Sequence, residues 1–163
     1  MIIYKVFNIA HFRSAAAITQ LTPLYFIKNG GSLEHILLSY SISFVALQII
    51  EFMIIVFILN DTESGLILML TWTVLIRTSF YNPCTEVQQG MMFVILQMSI
   101  LKKLLVVEEN KKIFLYICSG LTSYVILNFH VILILLAFFF HGFIFIEDKL
   151  KYKKEGLISL IFL

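Results

Sequence analysis

Charged residues are scarce in this sequence of 163 residues: Asp, Glu, Lys and Arg make up 13% of it, against about 25% in a typical soluble domain. Proline occurs only twice, and the net charge of +2 is too small to indicate binding to nucleic acid. Hydrophobic residues make up 60% of the chain, and the mean hydropathy is +0.96. This composition excludes an ordinary soluble domain and predicts an integral membrane protein, with the lipid bilayer as its surroundings.

Motifs that hold metals, phosphates or catalytic nucleophiles are also missing. The two cysteines, Cys84 and Cys118, have no C-x-x-C spacing and no histidine at a spacing suited to a shared metal. The sequence contains no G-x-x-x-x-G-K-[ST], H-E-x-x-H or G-x-S-x-G motif. We therefore expect no enzyme activity, no metal site and no cofactor.

The apolar runs are continuous, whereas the strands of a membrane barrel alternate apolar and polar residues. We therefore predict a single all-α domain, a polytopic integral membrane protein with five or six short transmembrane segments. The candidate spans are residues 8–27, 36–59, 65–81, 87–103, 113–127 and 131–146, and residues 149–163 are expected to form an interfacial tail.

Residues 36–59 form the most prominent apolar run, and we expect the other helices to gather around it. A helix of this length rises about 36 Å, which exceeds the hydrocarbon core of about 30 Å. Its one charged residue, Glu51, lies well inside the run. A carboxylate there costs several kcal/mol unless it is paired, protonated or in contact with water.

The first candidate span, residues 8–27, is the weakest by hydropathy because it contains Arg13 and Gln20. Pro23 removes a backbone hydrogen bond and is expected to kink it. An interfacial helix is the alternative for this segment. Because Glu34 is the first acidic residue, the N-terminal segment suits either an organelle-targeting sequence or an uncleaved membrane-entry helix.

The stretch 113–146 is too long for one crossing, since a single helix there would rise about 51 Å. It either contains one span or folds into two short spans with a break near residues 128–130. If it crosses twice, every lysine and arginine except Lys28 and Arg77 falls on one side of the membrane; if it crosses once, they divide equally. The positive-inside rule favours two crossings, with both termini on the cytoplasmic or matrix side of a bacterial or organelle inner membrane.

Four polar residues are predicted to form an intramembrane seam: Tyr40, Gln48 and Glu51 on one helix face, and Arg77 on the next helix. Three interpretations of Glu51 remain open. It forms an ion pair with Arg77 that sets the helix register, it lies on a proton or ion path, or it is neutral while Arg77 sits in the interface.

Small residues predict a second seam at Ser119, Gly120 and Ser123, where helix backbones can approach closely. His130 and His141 are candidate ligands of a metal or haem, but about 16 Å of a continuous helix would separate them. Gln88 and Gln89 are expected to extend towards the lipid headgroups.

Function is expected to rest on helix packing with a membrane protein partner or with a second copy of the chain. The protein would be an accessory subunit of a larger membrane complex, or an immunity or exclusion factor of an inner membrane. The alternative is a small secondary transporter, or a subunit with a proton or ion path through Glu51.

Overall fold

A computed structural model describes the backbone of residues 14–81, 85–129 and 131–147, and the side chains of residues 17–74, 87–129 and 132–142. These residues are almost entirely helical and contain no strand, so the all-α prediction is confirmed. A 3₁₀ helix, Ser14–Gln20, precedes the α-helices, and Ile54–Ile58 continues the second of them as a π-helix. The α-helices are α1 (Leu21–Lys28), α2 (Leu33–Met53), α3 (Thr62–Tyr81), α4 (Thr85–Val106), α5 (Glu109–Leu127) and α6 (Val131–Glu147).

Short polar turns separate the helices, and residues of these turns cap the helix that follows. Before α2, Gly30 adopts a φ of +74°, and Ser32 Oγ accepts a hydrogen bond from the backbone N–H of His35 at 3.3 Å. Before α3, Asp61 Oδ1 accepts from the backbone N–H of Ser64 at 3.0 Å. Both are N-caps, which satisfy backbone donors that have no partner within the helix.

The helix at the centre of the bundle is α4, which contacts α2, α3, α5 and α6. In its apolar segment 67% of the residues are buried, against 17% in the apolar segment that begins at Leu33. The expectation that the chain gathers around residues 36–59 is therefore wrong. The more hydropathic of the two long apolar helices lies at the edge of the bundle, and the one with several buried glutamines lies at its centre.

Two described helices are long and apolar enough to cross a membrane: Leu33–Ile58, with a mean hydropathy of 2.4, and Val87–Val106, with 1.4. The helix Ile132–Gly142 is apolar but shorter. Buried core helices of soluble proteins share this length and composition. The predicted five or six crossings are therefore unconfirmed.

The stretch 113–146 forms two helices. The first, α5, ends at Leu127, where Asn128 Nδ2 donates to the carbonyl of Tyr124 at 2.8 Å, and α6 begins at Val131. Pro23 lies in the first turn of α1, directly after the 3₁₀ helix, and the expected kink stays a prediction. Cys84, His130 and the predicted tail at residues 149–163 lie outside the described residues.

Candidate functional site

Gln48 and Glu51 lie one turn apart on the inward stripe of α2, where their exposed fractions are 3% and 2%. Among the described residues, neither amide atom of Gln48 and neither carboxylate oxygen of Glu51 has a hydrogen-bond partner. A buried polar group without a partner costs about 1–3 kcal/mol, and more if it is charged. The π-helix begins three residues after Glu51, and single π turns often accompany functional sites.

The other two members of the predicted seam are Tyr40 and Arg77. Tyr40 is half-buried and lies two turns before Gln48 on α2. The backbone of Arg77 lies in α3, but its side chain is outside the described side chains. The predicted ion pair between Arg77 and Glu51 therefore stays a prediction.

A cavity of about 160 Å³ lies between α2, α3 and α4, beside Gln48. Apart from the indole of Trp72, Gln48 is the one polar side chain in its wall. The remaining wall is apolar: Ile49, Phe52, Leu68, Met69 and Met92. The surface of the cavity is therefore almost wholly apolar, and the amide atoms of Gln48 are buried beside it.

A polar network joins α4 to α5 at Gln97, a residue of α4 that is fully buried. Gln97 Nε2 donates to Ser119 Oγ at 2.8 Å and to Ser123 Oγ at 3.1 Å, and Gln97 Oε1 accepts from Thr122 Oγ1. Ser119 and Ser123 thus lie at a helix interface, with Gly120 half-buried beside them. Unlike Gln48, this amide is fully satisfied, so it stabilises the interface.

The sequence analysis did not identify Gln97, and its expectation for two other glutamines of α4 was wrong. Gln88 and Gln89 are only 4% and 1% exposed, so the expectation that they extend to headgroups is wrong. Gln89 Nε2 instead donates to Thr19 Oγ1 at 3.0 Å and fixes the 3₁₀ helix against α4. The available signal was a glutamine in the middle of an otherwise uncharged apolar segment, which requires a partner on another helix.

Charged side chains cluster where the turn before α3 meets the end of α4. Lys102 Nζ lies 3.5 Å from Asp61 Oδ2 and 3.5 Å from Glu63 Oε2, and Ser64 Oγ donates to Asp61 Oδ2 at 2.6 Å. Burial acts to raise the pKa of Asp61, but the hydrogen bonds from Ser64 and the charge of Lys102 outweigh it and hold this pKa below its ordinary value.

His141 is 5% exposed, and its Nδ1 donates to the carbonyl of Ala137 at 2.6 Å. His130 lies outside the described residues, so a role for the two histidines as ligands stays a prediction. Within the described ranges, no three side chains of His, Cys, Asp or Glu are grouped so that they could hold a metal ion.

A groove of about 470 Å³ lies between α4 and α6 and is lined by apolar side chains. Its lining residues are Val87, Met91, Ile132, Leu133, Leu135, Leu136 and Phe139. The exposed fractions of Leu135 and Phe139 are 67% and 69%, so the groove opens to the outside of the bundle.

Comparison with known protein families, with curated proteins and with solved structures finds no match to this chain.

Proposed function

We propose that this chain is a multi-pass integral membrane protein that acts by packing against a membrane protein partner, as an accessory subunit or as an immunity or exclusion factor. The observation that carries the membrane part is that glutamine, serine and threonine side chains, among them the hydrogen-bonded Gln97 and Ser119, lie inside the bundle while many large apolar side chains cover its outside. Soluble monomers rarely expose contiguous apolar patches larger than a few hundred Å². The exposed apolar residues include Leu37, Leu38, Ile42, Ile49, Ile50, Phe57, Leu66, Leu70, Val74, Ile113, Phe114, Ile117, Leu121, Ile132, Leu135 and Phe139.

The placement of charge supports the same proposal. Within the described side chains, every charged residue except Glu51 lies in a turn or near a helix end. The turn before α3 and the turn before α5 share one end of the bundle, where Lys102 contacts Asp61. The turn before α2, which follows Lys28, lies at the other end. Two charged ends separated by apolar helices fit the two faces of a bilayer.

The groove between α4 and α6 supports the partner. In lipid, helices associate through close packing rather than through hydrophobic burial, so a concave apolar surface favours a helix that fits it. Leu135 and Phe139 lie one turn apart along this groove. We assign it as the surface on which a transmembrane helix of the partner packs, and we assign no catalytic role to the chain.

Copurification from native membranes tests the partner. A stoichiometric membrane protein is expected to copurify with the wild type and to be lost with Leu135→Trp, which fills the groove. The matched control is Ile117→Trp, on the exposed face of α5 and 57% exposed, which should retain the partner. Equal recovery with both variants, or no stoichiometric partner from native membranes, would contradict this role.

Cysteine labelling tests the topology independently of any partner. After replacement of Cys84 and Cys118 by serine, single cysteines are introduced at Asn29, Asn60 and Asn110. The cysteines introduced at positions 60 and 110 should react with an impermeant maleimide from the cytoplasmic or matrix side only. The cysteine introduced at position 29 should react from the opposite side only. Labelling of all three from one side, or release of the protein by alkaline carbonate, would refute a multi-pass arrangement.

A transport role is the second candidate, because Glu51 is buried in an apolar helix and has no hydrogen-bond partner among the described residues. Glu51→Gln separates the two proposals. If Glu51 lies on a proton or ion path, the variant should fold and keep its partner but lose solute movement in liposomes. If Glu51 is structural, the variant should assemble poorly.

A further inference from the structure

The cavity between α2, α3 and α4 lies apart from the groove between α4 and α6, so it has no role in the partner contact proposed above. We infer that it takes up the end of a lipid acyl chain from the surrounding bilayer. The inference rests on the membrane part of the proposed function, because only a bilayer presents such chains to these helices. It does not depend on the partner.

The lining of the cavity favours a hydrocarbon over water or a polar ligand. Its surface is almost wholly apolar, and the amide atoms of Gln48 are buried beside it rather than exposed in it. A buried water molecule needs about 2–4 polar partners, which such a wall does not supply. A cavity without an occupant also loses the dispersion contacts of its wall. An apolar group is therefore the occupant that the wall favours.

The volume of the cavity suits one hydrocarbon segment. It measures about 160 Å³, and an apolar cavity of about 150 Å³ in another protein stays dry and binds benzene. A segment of about six carbons therefore fits, whereas a helix of a partner, about 10 Å across, does not. Met69 and Met92 in the wall have flexible side chains, which adapt to an irregular apolar group.

The entrance of the cavity lies at the depth of the acyl chains. Ile49 and Met69 belong to the wall and are 52% and 39% exposed, so the cavity borders the outer surface between α2 and α3. Ile49 lies in the helix Leu33–Ile58 and Met69 in α3, each at least about 10 Å from either helix end. At that depth a hydrocarbon core of about 30 Å surrounds the protein with acyl chains. A chain end therefore reaches the cavity without crossing the core around α4.

Trp72 provides a direct assay, because it is the one tryptophan of the chain and lies in the cavity wall. The full-length protein is reconstituted in phosphatidylcholine, of which an increasing fraction carries bromine near the end of its acyl chains. Bromine quenches tryptophan fluorescence on contact, so the fluorescence falls with the unbrominated fraction raised to a power that counts the lipid chains in contact with Trp72. No free hydrocarbon is present, so a contact that depends on the cavity identifies the lipid chain itself.

Ile49→Phe and Ile50→Phe form a matched pair that locates this contact. The two positions are adjacent on α2 and are 52% and 55% exposed, but only Ile49 belongs to the cavity wall. Ile49→Phe should lower the number of contacting chains by about one, because its ring occupies the entrance of a cavity that holds one hydrocarbon group. Ile50→Phe should leave this number unchanged. Leu68→Phe fills the cavity from its buried side and should match Ile49→Phe.

The depth control is lipid with bromine close to the headgroup, for which all variants should give the wild-type number of contacting chains. With bromine near the chain end, an equal number in wild type, Ile49→Phe and Leu68→Phe would overturn the inference. The same loss with bromine close to the headgroup would overturn the assignment to a chain end. The exposed pair at positions 49 and 50 keeps the inference testable if Leu68→Phe fails to fold.

Failure of the proposed function gives a different result. Release of the wild-type protein from these membranes by alkaline carbonate would refute membrane insertion itself and the inference with it. A protein that resists carbonate but shows no dependence on Ile49 or Leu68 would overturn the inference alone.

Discussion

The contact between α4 and α6 predicts that a single methyl group added at Gly90 destabilises the protein. A Cβ atom at this position would lie 2.0 Å from Leu133 Cδ1 and 3.2 Å from Phe129 Cβ. Leu133 Cδ1 ends a flexible side chain that borders the groove between α4 and α6, so it can move aside, whereas the fully buried Phe129 has less room to yield. Gly90→Ala therefore forces the Leu133 side chain of α6 to repack and tightens the contact with Phe129.

Gly142→Ala is the matched control, because Gly142 also lies inside a helix but its Cβ would meet no atom within 4 Å. In each variant, alanine gains about 1 kcal/mol of helix propensity over glycine. Overpacking a filled core costs about 1–3 kcal/mol, and sometimes more. The difference in the free energy of unfolding between the two variants isolates this cost, so Gly90→Ala should be less stable than Gly142→Ala by about 1–3 kcal/mol.

Thermal unfolding in detergent, followed by the helical circular dichroism signal, measures this difference. One kcal/mol corresponds to about 2–4 °C in a chain of this size. Gly142→Ala should unfold at or above the wild-type temperature, and Gly90→Ala clearly below its control. Equal unfolding temperatures of the two variants would refute the close packing of α6 against α4.

Three further predictions use the same unfolding assay. Gln97→Leu should lower stability by about 2 kcal/mol, because it removes three interhelical hydrogen bonds worth about 0.6 kcal/mol each in a membrane bundle; no loss would contradict the network between α4 and α5. Gly65→Ala should destabilise the protein because its Cβ would lie 2.5 Å from Val56 Cγ2, and Val56→Ala in the same chain should rescue it, whereas additive losses would argue against this contact. The pKa of Asp61 is lower in the folded state, so its stabilising effect is complete above the ordinary aspartate pKa of about 3.9 and is lost as the pH falls below that value towards the folded pKa; Asp61→Asn should flatten this dependence, and an unchanged pH profile would contradict the Lys102 contact.

The helical class and most helix positions could be predicted from local patterns. Continuous apolar runs and the polar turns at Ser32 and Asp61 depend on neighbouring residues only, and helix caps are local interactions. The break after Leu127 was recognisable for a similar reason, since the length of residues 113–146 required a choice between one helix and two.

The candidate site was predictable in part. Glu51 stands out because it is the one charged residue of its apolar segment, and Gln48 precedes it by one turn. The cavity beside Gln48 was not predictable, because Leu68, Trp72 and Met92 come from two other helices. Their meeting depends on how the helices pack, which no local pattern specifies.

The sequence by itself determined that this chain forms apolar helices joined by short capped turns, because both features follow from residues close together in the chain. Only the tertiary structure decided that α4 is the central helix. Hydropathy ranks helices by how well they suit an apolar surrounding, whereas a central position depends on polar side chains that find partners on other helices. Gln97 finds Ser119 and Ser123 on α5, and this contact exists only after the two helices have packed together.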